Sequence, residues 1–211
     1  KDDRVRTSRV WPHPPHSSFY PRRETMNQNA GKNFVYVDNS NLYIEGSRVS
    51  AVAEGFDGAS DIYEAMKNGI TNFGWQLDYG RLYAFACGSP DHIGHAKLWG
   101  SPPPGDSFWD MLKRLGFDVT TFDKSLQGKE KKVDVALGAA LTKDVYTGVI
   151  SQERDTITLI SGDKDYVPVV DDLIANGCKI EVVFWHHAAN ELKRAASRFI
   201  DLNPHIQHFT K

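Results

Sequence analysis

The stretch NFVYVDNSNLYIEG, residues 33–46, changes character abruptly near its middle. Residues 34–37 are apolar and have the composition of a buried strand. Residues 38–41 are an acid followed by three hydrogen-bonding side chains, and the chain then becomes apolar again at residues 42–44. A polar break of this kind is typical either of a plain turn or of a site at the carboxyl end of a parallel strand.

Strand-like and helix-like segments alternate along the rest of the chain. Apolar runs predict five strands, at residues 34–37, 81–87, 117–123, 156–163 and 179–185. Helical spacing of apolar residues predicts helices after Asn41 and at residues 61–69, 108–116, 131–148, 165–176 and 190–202. The alternation indicates parallel βαβ units, and therefore an α/β fold whose central parallel sheet is covered on both faces.

In such sheets, ligands bind outside the carboxyl ends of the strands, near the switch in strand order. The first predicted strand ends at Asp38, and the fourth ends in SGDKD, residues 161–165. If these two strands are central neighbours, their acids will lie together at one edge of the sheet.

The first 31 residues differ from the remainder. They are rich in Pro, Ser, Asn and Arg and show no apolar period. They predict a flexible basic tail or an added leader, with Met26 as a candidate natural start, followed by one domain at residues 32–211. Residues 1–32 carry seven Lys/Arg and three Asp/Glu, so a chain of net charge −2 leaves −6 for residues 33–211. That charge argues against binding nucleic acid by overall attraction.

Several classes of protein are disfavoured by composition. No apolar run approaches the roughly 20 residues that a membrane helix requires, so a membrane partner is not expected. Cys87 and Cys178 lie in apolar settings and are predicted to be reduced core residues, which favours a reducing compartment and a cytoplasmic location. Neither a P-loop nor a dinucleotide glycine pattern occurs in the sequence, which disfavours a nucleotide-cofactor enzyme.

Four aspartates are candidates for one constellation: Asp38, Asp134, Asp163 and Asp165. Converging carboxylates repel one another, and a divalent cation is the usual way to offset that cost. Ligands that are all oxygen favour Mg²⁺ or Mn²⁺ over zinc. A cation at this place would activate water against a phosphodiester and stabilise the leaving oxygen.

Structural alternatives exist for the same residues. Asp134 is predicted near the start of its helix, where the helix dipole alone favours an acid. Asp165 or Asn41 would each serve as a helix N-cap. In favour of a site, Lys132 and two neighbouring lysines would hold a phosphate close to Asp134. These residues alone leave both interpretations open.

Other polar and aromatic signals are weaker. His92 and His95 have zinc-like spacing, but no third ligand lies nearby in the sequence, so a loop role is favoured. Trp99, in a Gly/Pro-rich segment, is the best candidate among the tryptophans for stacking on a base.

Four segments, taken in order, resemble the NYN domain family, a branch of the PIN-like nuclease superfamily. They are VYVDNSNLY (35–43), KKVDVALGAAL (131–141), LISGDKDYVPVVDDLIANGCKIEVV (159–183) and ELKRAASRFIDL (191–202). The likeness spans about residues 33–203. It implies a three-layer α/β/α sandwich with a central parallel sheet and a metal-dependent ribonuclease site at the carboxyl edge of that sheet.

The resemblance also implies roles for single residues. Asp38, Asp134 and Asp163 match the acidic metal-site positions, for Mg²⁺ or Mn²⁺, and Asp165 matches a further catalytic acid. Asn41 matches the polar residue after the first acid.

Three more positions are candidates for contacting substrate. Ser161 matches the small hydroxyl residue before the acid of the fourth strand, and Lys132 is expected to contact the RNA backbone. Lys164 departs from the pattern, because many relatives carry a small polar residue there. A lysine at this position would offset the acids or contact a phosphate.

The leading hypothesis is a Mg²⁺- or Mn²⁺-dependent ribonuclease acting on single-stranded or structured RNA. The main alternative is a non-catalytic RNA-binding or regulatory NYN module, which the acidic domain and Lys164 favour. A phosphatase with Asp38 as covalent nucleophile is a third hypothesis, but it would want an acid two residues later, where Ser40 stands. A homo-oligomer is compatible with the sequence and is not specified by it.

Overall fold

Strands and helices alternate in the computed structural model, which describes residues 31–101, 106–122 and 129–211, without the side chains of residues 129–132. The strands are β1 (Asn33–Asp38), β2 (Ile93–Gly100), β3 (Asp118–Thr121), β4 (Thr156–Ile160), β5 (Lys179–Phe184) and β6 (Arg198–Asp201). The helices are α1 (Asn39–Ala53), α2 (Ile62–Asn68), α3 (Tyr79–Cys87), α4 (Asp106–Leu115), α5 (Lys129–Tyr146), α6 (Val167–Ala175), α7 (Asn190–Ala195) and α8 (Ile206–Phe209). The predicted leader falls almost wholly outside the described residues.

The described strands form one sheet in the order β3-β2-β1-β4-β5-β6. Each neighbouring pair in this order is parallel. From β1 the chain first builds outward through β2 and β3, and it then returns to add β4 on the other side of β1. The strand order therefore switches between β1 and β4, and a crevice is expected outside their carboxyl ends.

Helices cover both faces of the sheet, so the predicted three-layer sandwich is confirmed. Successive side chains of β1 point to opposite faces. Val35 and Val37 belong to an apolar cluster with buried residues of α1, α3 and α4. Phe34 and Tyr36 belong to a second cluster with buried residues of α5, α6 and α7. Because β1 is buried on both faces, its residues 34–37 form a continuous apolar run that ends at Asp38.

The strand predicted at residues 81–87 is wrong, because this segment lies in α3. Asp78 caps that helix by accepting a hydrogen bond from the Arg81 backbone amide at 3.0 Å, and Gly88, with φ of 71°, ends it. The second strand is instead β2, in a segment where the sequence predicted a loop. β2 carries Lys97, whose ammonium donates to buried Asp144, so its polar residues hid the strand pattern.

The last predicted helix, at residues 190–202, is only half right. α7 ends at Ala195, and the chain then forms β6 beside β5, with Phe199 opposite Val182. The apolar residues that continued the helical period belong to a short edge strand. The other predicted helices and strands are confirmed within their described residues.

Two further expectations concern cysteines and membranes. Cys87 and Cys178 are free and buried, as predicted, and burial raises the pKa of the Cys87 thiol to about 12. Among the helices of the described ranges, none has the length and apolar character needed to cross a membrane.

A cluster of buried polar side chains connects β1, β2 and α5. Tyr36 donates its hydroxyl to Asp144 at 2.6 Å, and the His95 ring lies 3.5 Å from the same carboxylate. The pKa of His95 is lowered to about 4, chiefly by burial and also by the ammonium of Lys97. His95 therefore stays neutral in the folded protein at pH values where an exposed histidine is charged.

Folding stability is expected to fall as the pH drops from about 6.5 towards 4, because the unfolded chain then binds a proton at His95 and the folded chain does not. Between pH 7.5 and pH 5.0, the parent should lose up to about 2 kcal/mol more than a His95→Gln variant. Urea unfolding of both proteins at the two pH values measures this difference. An equal loss in parent and variant would contradict the prediction.

Candidate functional site

Asp38 ends β1 and begins α1. Its Oδ1 accepts the Asn41 backbone amide at 3.0 Å, so Asp38 is the N-cap of α1. The alternative in which Asn41 is the cap is therefore wrong. The Asp38 side chain is almost wholly buried, with 3% of the residue exposed. Burying a carboxylate costs free energy unless its oxygens accept hydrogen bonds. The contact made by Oδ2 of Asp38 therefore bears on the role of this residue.

Asn41 joins the end of β1 to the end of β4. Its Oδ1 accepts the Gly162 backbone amide at 2.9 Å and the Ser161 hydroxyl at 3.1 Å. Ser161 is completely buried. The two residues predicted to position substrate are thus engaged with each other, and they fix the loop that carries the next acids.

Asp163 and Asp165 lie on one tight turn after β4. Asp163 caps the 3₁₀ turn Lys164–Tyr166, because its Oδ1 accepts the Asp165 backbone amide at 3.0 Å. The capping role considered for Asp165 therefore belongs to Asp163, and the Asp165 side chain is exposed. α6 continues directly from this turn.

Asp134 approaches the same turn from α5. That helix begins at Lys129, two residues before the predicted start, so Asp134 lies in its second turn. The weaker dipole at this depth leaves less of a structural reason for an acid. Oxygen atoms of Asp134, Asp163 and Asp165 all lie within 4.8 Å of one another.

This donor set fits a hard divalent cation. Three carboxylates from α5 and the turn after β4 converge, and the group contains neither sulfur nor imidazole. Mg²⁺ and Mn²⁺ prefer such oxygen ligands and keep several waters, so three carboxylates suffice. The sequence predicted Asp38, Asp134 and Asp163 as metal ligands, and in the structure Asp165 joins Asp134 and Asp163 in this group. Asp38 is linked to Asp134 through the Tyr166 hydroxyl, which lies 3.2 and 3.1 Å from their oxygens.

Tyr166 is the residue of the site that sequence reasoning missed. Its hydroxyl lies 3.2 Å from Oδ2 of Asp38 and 3.1 Å from Oδ1 of Asp134. The residue is 1% exposed. Its side chain belongs to the apolar cluster on the α5 face of the sheet. A tyrosine after an acid in a helical pattern looks like an ordinary core residue, and nothing local in the sequence indicates these contacts.

Burial and charge perturb the acids at this join. The pKa of Asp38 is raised to about 7, first by burial and then by the neighbouring carboxylates of Asp134 and Asp163, against hydrogen bonds that lower it. Burial and the charges of Asp38 and Asp134 also raise the pKa of Tyr166. The Tyr166 hydroxyl has one hydrogen and two carboxyl neighbours, so it can donate to only one of them at a time. A proton on Asp38 supplies the hydrogen for the other contact.

A groove leads away from the acids between α5 and α6. It has a volume of about 690 Å³, and Asp134, Gly138 and Thr142 line its α5 side. Lys164, Asp165 and Glu191 are charged residues on its other walls. Lys164 is exposed there, which is compatible with its predicted contact to a phosphate. The side chain of Lys132 lies outside the description.

The tryptophan and the two histidines that were weaker candidates have structural roles. Trp99 is 5% exposed and stacks on Tyr36 with ring centroids 6.0 Å apart, so it is not free to stack on a base. His95 lies in β2 beside Asp144, and His92 lies in the turn before β2. The two histidines therefore lie in different elements, as expected for residues that do not form a zinc site.

Comparison with known proteins agrees with this geometry. The NYN domain profile matches residues 32–203, and no curated protein matches the chain in sequence. A crystal structure of a protein of unknown function from Vibrio parahaemolyticus is similar in fold, with a TM-score of 0.61, 16% identity, and coverage of 89% of this chain and all of the other. That likeness concerns the fold alone. The profile covers most of the chain, including each acid described above, and the chain therefore belongs to the NYN domain family of PIN-like nucleases.

Proposed function

We propose that this protein is a Mg²⁺- or Mn²⁺-dependent ribonuclease that hydrolyses RNA phosphodiester bonds. The observation that carries the proposal is the convergence of Asp134, Asp163 and Asp165, within 4.8 Å, at the switch point of a parallel sheet. Membership of a nuclease family supports hydrolysis of a nucleic acid. The oxygen-only donor set supports a hard cation.

The residues would divide the work as follows. Asp134, Asp163 and Asp165 hold the cation, which supplies charge stabilisation for the phosphate and a water of lowered pKa. Asn41 and Ser161 hold the turn that carries two of these acids, through the 2.9 and 3.1 Å hydrogen bonds. Lys164, at the groove beside them, contacts a phosphate of the bound strand.

A non-catalytic RNA-binding module is the second candidate. The charge of the groove favours this candidate. Its described lining contains one cationic residue, Lys164, and three acids, Asp134, Asp165 and Glu191. Without a divalent ion, such a groove repels phosphates. This candidate therefore predicts RNA binding at another surface, without cleavage and without dependence on the cation.

The first experiment is a cleavage assay on single-stranded and hairpin RNA with Mg²⁺, Mn²⁺ or EDTA. We expect cutting with either ion and none with EDTA. The same samples should show a higher melting temperature with the ion, because a ligand at 100 times its Kd stabilises the folded state by about 2.7 kcal/mol. Folded protein that binds RNA and cuts nothing under any condition would favour the binding module.

A further inference from the structure

The groove between α5 and α6 opens directly from the candidate cation site. Asp134 and Asp165, two of the three converging acids, are among the residues that line it. Its volume of about 690 Å³ lies within the range of about 300–1,000 Å³ that is typical of pockets for small molecules. An RNA phosphate bound at the cation carries a nucleoside on each side. The groove therefore offers a place for one of these nucleosides.

The α5 wall of the groove is apolar beyond its acid. Val135, Gly138, Ala139 and Thr142 line it from one face of the helix, at the i, i+3, i+4 and i+7 spacing. Val135 is 71% exposed, and a Cβ atom added at Gly138 would meet no neighbouring atom within 4 Å. From Asp134 to Thr142 this face is roughly 12 Å long, at about 1.5 Å per residue. A flat ring therefore has room to lie along it.

The α6 wall is also apolar, and the charges of the groove disfavour further phosphates. Val167, Pro168 and Val169, from the first turn of α6, line this wall. Lys164 is the one cationic residue among the described lining residues, which include three acids. Away from the cation and this lysine, the groove offers a phosphate little attraction. Its apolar walls instead favour the flat face of a base.

The polar side chains of the lining other than Lys164 accept hydrogen bonds. Thr142 donates its hydroxyl hydrogen to the Gly138 carbonyl at 2.9 Å, so its Oγ1 has only lone pairs left for a ligand. Glu191 is exposed in the first turn of α7, and an ionised carboxylate only accepts. Cytosine, adenine and guanine carry amino groups that donate, whereas uracil has a carbonyl oxygen where cytosine has its amino group. The lining therefore suits a base with an amino group.

We propose that the groove binds one base of the RNA strand beside the phosphate at the cation, and that Glu191 selects a base with an exocyclic amino group over uracil. Asp134 and Asp165 serve the cation, so Glu191 is the carboxylate among the described lining residues that remains to accept the amino group. This inference rests on the proposed function, since it concerns the RNA strand held by the same acids. It assigns Glu191 a role in choosing the base and none in hydrolysis.

The test compares cytidine and uridine monophosphates, whose bases have the same ring size and differ at the amino group. Binding of the 5′- and 3′-monophosphates to the full chain is measured by titration calorimetry with saturating Mn²⁺, beside ribose 5-phosphate, which has no base. Cytidine monophosphate should bind roughly 10-fold more tightly than its uridine counterpart, as expected for a hydrogen bond to a charged group. Ribose 5-phosphate should bind more weakly than either nucleotide.

Glu191→Gln should reduce this preference to within about twofold, because the amide can donate to the uracil oxygen as well as accept from cytosine. Glu153→Gln is the matched control. Glu153 is exposed in the turn before β4, at the opposite end of that strand from the acids, so its loss should leave the preference unchanged. The ratio of kcat/KM for cleavage of short oligo(C) and oligo(U) is a second readout and should change in the same way.

Gly138→Leu tests the groove itself. It adds an aliphatic side chain to the α5 wall, where space is free. It should remove most of the difference in affinity between the nucleotides and ribose 5-phosphate, and leave binding of ribose 5-phosphate and Mn²⁺ unchanged. Ala175→Leu, at the exposed end of α6 beyond the lining residues, should change none of these affinities.

Several outcomes would overturn the inference. They are equal affinity for the two nucleotides, a preference that persists in Glu191→Gln, and nucleotides that bind no more tightly than ribose 5-phosphate. If the parent cuts RNA and shows one of these results, the proposed function stands and the inference fails. If the parent prefers cytidine through Glu191 and cuts no RNA, the ribonuclease proposal fails and the base site stands. If the parent binds neither Mn²⁺ nor nucleotides, both fail.

Discussion

Replacing Asp163 with Asn is expected to lower the rate of metal-dependent RNA cleavage by about 100- to 1,000-fold. A cation contributes several kcal/mol of charge stabilisation in such reactions, and each 1.36 kcal/mol is a tenfold change in rate. The substitution is selective, because the Asn oxygen can still accept the Asp165 amide that Asp163 now accepts at 3.0 Å. The turn therefore keeps its cap and loses a charged ligand.

The control for this variant is Asp171→Asn. Asp171 is exposed on α6, a few residues beyond the turn, so its loss removes the same charge without touching the three acids. Cleavage is measured under single-turnover conditions with Mg²⁺ and with Mn²⁺, and melting temperatures are compared. Equal rates for the Asp163 variant and its parent would show that these acids are not the catalytic site, and equal losses in both variants would indicate a general effect of charge.

Gly162→Ala is expected to destabilise the fold by about 1–3 kcal/mol and to reduce cleavage strongly. A Cβ atom added at Gly162 would lie 2.3 Å from two ring atoms of Phe184. The backbone has little freedom to move away, because the Gly162 amide donates to Asn41 and its carbonyl accepts the Ala189 amide. The strain arises from contact and would displace the turn that carries Asp163.

Gly138→Ala tests the same chemical change where space is free. Gly138 lies within α5, and an added Cβ would meet no atom within 4 Å. This variant should be more stable by about 0.5–1 kcal/mol, since glycine is unfavourable inside a helix relative to alanine. Urea unfolding of both variants gives the comparison. A Gly162→Ala protein as stable as its parent would mean that Phe184 can move aside at little cost.

The alternation of strands and helices could be predicted from the sequence, because buried strands and helices have different apolar periods. The pairing of β1 with β4 stayed a condition, because an apolar period does not say which strands are neighbours. β2 and α3 could not be assigned from that pattern. β2 carries Lys97, which is compatible with burial only through Asp144 on α5, a partner far away in sequence. α3 is decided by its cap, where Asp78 accepts the Arg81 amide, and this outweighs a strand-like composition.

The acids of the site could be found from the sequence, because their positions follow from the order of the predicted elements. Asp38 and Asp163 end predicted strands whose carboxyl ends meet at one edge of a parallel sheet, and Asp134 lies near the start of a predicted helix, so all three were visible without coordinates. The sequence did not show which of these carboxylates lie close enough together to bind one cation. That depends on which oxygen of Asp38 caps α1 and on where the Tyr166 ring directs its hydroxyl, and both are set by packing.

The join between β1 and β4 also bears on when the candidate site is assembled during synthesis. Asn41 and Gly162, which fasten the two strand ends together, are 121 residues apart in the chain. A ribosome makes the first acid early and the acids of the second turn much later, and domains generally fold as units once their chain is available. A nascent chain that has not yet released β4 holds Asp38 and Asp134 without their partners. The group of Asp134, Asp163 and Asp165 therefore forms only after β4 and the turn that follows it have been made, which is late in synthesis.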